Sequence, residues 1–236
     1  NLSLAADDVS TTAGTTIADL DVGSTATVNV TGSGGLAIGT ADLSDGTDTG
    51  VTSVINAGTA TGNITIGSSS ADFKDSNTEE FTITLGSGTN KVYPLLVALD
   101  NDKYIGTTGT DTLYLTEKNA SGTALETTVT DIDKVVFTAS ATAAHSGPLD
   151  LSNFTNVSEV VFASAANTGA EDAEFKDVAS GQVISIDTDA GSTDVFNGDT
   201  LTITNATGVT GATVTLDGLL AIVSTGVGIT TNAGTL

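Results

Sequence analysis

A chain of 236 residues with 29 acidic and 6 basic side chains carries a formal charge of −23. All the bases are scattered lysines, so the cationic surface that phosphate recognition needs is missing, which argues against nucleic acid as a partner. Cys is absent, which removes disulfides, zinc–thiolate sites and thiol catalysis together. Glycine at 27 residues, with abundant Thr, Ser, Ala, Asp and Val, favours short strands and tight turns over helix, and so an all-β fold.

In chain order, the first predicted strands are Thr25 to Thr31, Val51 to Ile55, Asn63 to Ile66, Phe81 to Leu85 and Lys91 to Leu99. Val28 and Val30, Ile64 and Ile66, and Phe81, Ile83 and Leu85 alternate with polar residues, which covers one face of each strand. A sheet half covered by a second sheet predicts a β-sandwich over residues 1–99. Within it, Asp75 to Asn90, DSNTEEFTITLGSGTN, resembles strands of the immunoglobulin-like and Calx-β-like modules of bacterial adhesins. That resemblance implies an Ig-like or extender-like module.

A polar break at Asp100, Asn101 and Asp102 marks a change of texture, and a second domain is expected over residues 100–236. Lys134 to Phe137 (KVVF) recurs as Glu159 to Phe162 (EVVF) 25 residues later, and Val183 to Ile186 (VISI) follows about 24 residues on. Repeats of this length with one apolar strand each predict a parallel β-solenoid or β-roll-like stack, in which each coil buries the inward face of the next. Closer-spaced strands follow at Leu201 to Thr204, Val214 to Leu216, Ile222 to Ser224 and Gly228 to Thr230, read as narrower coils or as capping hairpins. No apolar run is long enough to cross a bilayer as a helix, so no transmembrane segment is expected. The chain opens at Asn1 without Met, as expected of a processed end or an excised piece.

The sharpest local motif is Gly106 to Tyr114, GTTGTDTLY. It resembles the RTX nonapeptide GGxGxDxUx at Gly106, Gly109, Asp111 and Leu113, with Thr107 in place of the second glycine. Glycines allow a tight turn that presents carbonyls and Asp111 supplies a carboxylate, an oxygen set suited to Ca²⁺. The resemblance implies calcium held by Gly106, Gly109 and Asp111. A half match lies at Asn197 to Leu201. A second oxygen-rich loop runs through Asp187, Asp189, Asp194 and Asp199, and Asp100 with Asp102, and Asp131 with Asp133, make further acidic pairs. The alternative reading of such pairs is a solvated acidic surface.

Catalysis finds little support. One histidine, His145, has neither Cys nor a second His to work with. Absence of Arg removes the usual base of a polysaccharide lyase, and a sugar platform is not expected of seven Phe, three Tyr and no Trp. Seven N-x-[ST] sequons barely exceed chance in so Thr-rich a chain.

Acidity, Thr, Ala and Gly richness and the lack of Cys resemble surface-layer (S-layer) proteins. The expectation is a non-catalytic, secreted, self-assembling structural component of a bacterial or archaeal cell-surface layer or extracellular filament, stabilised by calcium. Its partner would be itself, in a lattice or filament, with a cell-surface glycan as a further contact. A segment of a large RTX-type adhesin and a phage virion structural protein are the alternatives.

Overall fold

The computed structural model describes residues 2–6, 14–21, 25–42, 52–68, 80–94, 102–117, 127–139, 149–163, 173–187, 200–209, 213–217 and 228–231. All regular structure there is strand. The strands are β1 Leu2–Ala6, β2 Thr15–Asp21, β3 Thr27–Gly32, β4 Leu36–Asp42, β5 Thr52–Asn56, β6 Ile64–Ile66 and β7 Glu80–Thr84. Next come β8 Thr89–Val92, β9 Lys103–Ile105, β10 Thr110–Glu117, β11 Thr128–Thr130, β12 Lys134–Ala139, β13 Leu149–Asp150 and β14 Phe154–Thr155. The last are β15 Glu159–Ala163, β16 Ala173–Val178, β17 Val183–Asp187, β18 Thr200–Asn205, β19 Thr213–Asp217 and β20 Gly228–Thr231. The chain divides into two compact units, Asn1–Leu115 with Glu126–Asp133, and Thr116–Leu125 with Lys134–Leu236.

In the first unit the odd strands pair in parallel in the order β1-β3-β5-β7-β9-β11, and the even strands β2, β4, β6, β8 and β10 do the same in a second sheet. Parallel neighbours need a long crossover. Here each crossover supplies a strand to the other sheet, so the chain winds as a β-solenoid. Inward positions line up from coil to coil: Val28, Ile55, Ile83, Tyr104 and Val129 form one column, and Ile38, Ile66, Val92 and Leu113 another. All nine side chains are buried. Burying each contributes about 1.5–3 kcal/mol, and the column is sharpened by an edge-to-face contact of Phe81 with Tyr104, centroids 5.6 Å apart.

The Ig-like sandwich expected over residues 1–99 is not the arrangement these pairings make. A sandwich of that kind is built from antiparallel strands, whereas β1 to β8 pair only in parallel among the described residues, and the same sheets run on into β9 and β10. The expected boundary between residues 99 and 100 therefore falls inside the first unit. Apolar alternation over five positions reports that one face is covered. It carries no information on whether the neighbour is the other arm of a hairpin or the next coil.

In the second unit, β12, β15, β17 and β19 form one parallel sheet and β13, β16, β18 and β20 another. The KVVF and EVVF repeats lie side by side, Val135 against Val160 and Phe137 against Phe162, at the predicted offset of 25. Val160 then pairs with Ile184. The described later strands are not hairpins: β18 and β20 are parallel members of one sheet and β19 belongs to the other, while Ile222 to Ser224 lies outside the described residues. Their apparent crowding in sequence arises because successive strands alternate between two sheets.

Candidate functional site

Each β-strand of the even sheet in the first unit is preceded by a glycine-containing corner, and the corners stack. A Cβ on Gly109 would meet the carbonyl oxygen of Gly88, and one on Gly106 would meet the carbonyl of Asp131 and lie 2.6 Å from Asp111 Oδ2. Those glycines are required by close approach of neighbouring coils. The nonapeptide-like segment is thus a coil corner followed by β10.

Two residues into the strands, the inward column changes character. Leu36 and Ile64 are followed in register by Asn90 and Asp111, both 0 % exposed. Asn90 Nδ2 donates to Asp111 Oδ1 at 2.7 Å and also to the Gly86 and Gly88 carbonyls at 2.8 and 3.2 Å, while Asn90 Oδ1 accepts from Ile64 N at 3.0 Å. Asp111 Oδ2 accepts from Thr107 N at 3.1 Å, and Asp111 N donates to Asp133 Oδ2 at 2.8 Å. On the odd sheet Asp102, also buried, accepts from Phe81 N at 3.1 Å. These side chains satisfy main-chain donors that the coil corners leave over.

Burial pushes the Asp111 carboxyl above its usual range. The Asn90 and Thr107 hydrogen bonds pull it back, and the nearby Asp133 charge adds to the rise. No lysine takes part in that balance. Each Asp111 oxygen accepts one N–H, Oδ1 from Asn90 and Oδ2 from Thr107, which leaves lone pairs on both. Among the described residues no three His, Cys, Asp or Glu side chains gather into a metal-holding group.

Of the other residues expected to bind calcium, Gly106, Gly109 and Asp102 are placed as above, at one coil step with Asp111. Asp100, Asp189, Asp194 and Asp199 lie outside the described residues. The backbone of Asp187 closes β17 in register with Asp217.

Sequence reading missed Asn90. Its signal was present: Gly88-Thr89-Asn90-Lys91-Val92 and Gly109-Thr110-Asp111-Thr112-Leu113 share the pattern G-T-[ND]-x-[VL] at a spacing of 21. A second missed pattern is a left-handed residue at a corner, Asp131 (φ 56), Asn156 (φ 57) and Gly181 (φ 78), each followed by a buried residue, Ile132, Val157 and Gln182. Asp, Asn and Gly are the residues that adopt that conformation most readily.

Comparison with family models, with curated proteins and with solved structures returns no match.

Proposed function

We propose that this chain is a non-catalytic structural segment of a secreted cell-surface protein, which assembles with copies of itself into a layer or filament. The observation that carries the reading is the coil stack: in each unit parallel strands add in register around continuous apolar columns. Such a stack extends by nearest-neighbour contacts and supports long, repetitive bodies. Outward positions of the odd sheet in the first unit are mainly small and polar, among them Thr27, Asn29, Asn56, Thr82, Thr84, Thr128 and Thr130, a surface suited to solvent and to many weak contacts rather than to one substrate.

Calcium enters this reading through charge. At −23 the chain repels itself, and divalent ions outside the cell would screen it and favour association. The acids that the sequence offers for that role are Asp111 with Asp100 and Asp102, and those from Asp187 to Asp199. Circular dichroism, size exclusion and negative-stain microscopy in calcium and in EGTA test the proposal. Lattices or fibres in calcium that dissolve in chelator are expected. A monomer under both conditions overturns self-assembly and favours the adhesin segment, and fibres indifferent to chelator remove calcium and favour the virion protein.

A further inference from the structure

Coil length is not constant along the first unit. On the odd sheet Val54 pairs with Thr82, 28 residues on, and on the even sheet the steps run 21 from Thr15 to Leu36, 28 from Leu36 to Ile64 and 26 from Ile64 to Asn90. The next step is shorter on both sheets: Phe81 reaches Asp102 and Asn90 reaches Asp111 across 21. A uniform repeat would fix the register of each new coil by its length. Where the length changes, that information is lost.

Apolar patterning does not replace it. A one-residue slip of a strand turns its side chains to the wrong face, but a two-residue slip restores inward and outward sides. β8 and β10 present a short inward row, Asn90 and Val92 against Asp111 and Leu113. If all four were apolar, a slip by two would be tolerated. With the native residues, the slip sets Asn90 against Leu113 or Asp111 against Val92 and strands a buried amide and a buried carboxylate.

We infer that Asn90 and Asp111, with Asp102 on the facing sheet, form a register lock at the step where the coil shortens. All three are buried and polar, and they fall at the step that is short on both sheets at once, whereas the earlier change of length is confined to the even sheet, where the column holds Leu36 and Ile64. A single buried polar pair that specifies register at some expense of stability is a known use of such groups.

The chain has no cysteine, so engineered disulfides report register directly. Lys91 and Thr112 are outward partners in β8 and β10, as are Thr89 and Thr110. K91C/T112C reports the native register, while T89C/T112C and K91C/T110C report slips of two in either direction, pairs too far apart to bridge in the native stack. In the otherwise native chain the in-register pair should oxidise at least about tenfold more than either slipped pair. In the N90V/D111V background the lock predicts that a slipped pair rises to a comparable yield. Ile64→Ala, which removes core volume at the preceding step, should lower stability and leave the crosslink ratio unchanged. An unchanged ratio in folded N90V/D111V overturns the inference. So does loss of the β-sheet signal in that variant, because the pair would then be a requirement for folding and not a choice among registers.

Discussion

In the first unit, Asn90 and Asp111 join neighbouring coils from inside the stack, both fully buried. In the second, Lys134, Glu159 and Ser185 join neighbouring coils on the face opposite Val160 and Ile184, with Lys134 and Glu159 side chains 42 % and 31 % exposed. The outer row has ideal geometry, Lys134 Nζ at 2.9 Å from Glu159 Oε2 and Ser185 Oγ at 2.6 Å from Glu159 Oε1. Water nevertheless competes for its charges, and an exposed ion pair contributes little. The inner pair holds a carboxylate with no cation beside it among the described residues, in a place where an unmet bond is expensive. Position relative to water, and not hydrogen-bond length, sets what each is worth.

The largest effect that sharpens this contrast is expected for Asn90→Ala. It removes the acceptor of Ile64 N and the donor to Asp111 Oδ1, and should lower stability by about 3 kcal/mol, read from denaturant midpoints. Asp111→Ala should cost less, about 1–2 kcal/mol, because the Asn90 amide keeps the Gly86 and Gly88 carbonyls and a buried charge disappears. A reversal of that order would show that the carboxylate, not the amide, organises the pair. Glu159→Gln in the second unit should shift stability by under about 1 kcal/mol, and the shift should shrink in high salt.

The two carboxylates also oppose each other in pH. Asp111, raised by burial from an ordinary 3.8, contributes stability that is present below that value and lost as pH rises through its folded pKa. Burial raises Glu159 too, but hydrogen bonds from Ser185 and Lys134 and the Lys134 charge outweigh it and leave it below its ordinary 4.5. Its contribution is present above that value and lost as pH falls through the depressed one. In calcium-free buffer, denaturation followed from about pH 7 to about pH 2.5 should therefore lose a stabilising rise in Asp111→Asn and a destabilising fall, confined to the acid end, in Glu159→Gln. Parallel profiles in both variants would break the comparison.

The sequence by itself determined the all-β character, the apolar columns and, over residues 134–162, the register, because Val135 to Phe137 and Val160 to Phe162 repeat at the spacing at which they pair. It did not reveal that β1 to β8 wind as coils, since coil lengths there drift and the shared period is lost. Nor did it separate the two meanings of GTTGTDTLY. Glycine and aspartate at those positions serve either a cation-binding turn or a crowded corner with a buried acceptor, and composition is identical in both. What only tertiary structure supplied is the crowded corner itself and the placing of Asn90, from the coil before, with its amide on Asp111. A donor 21 residues away in sequence is invisible to any local motif, yet it is what gives that carboxylate its hydrogen-bond partner in the core.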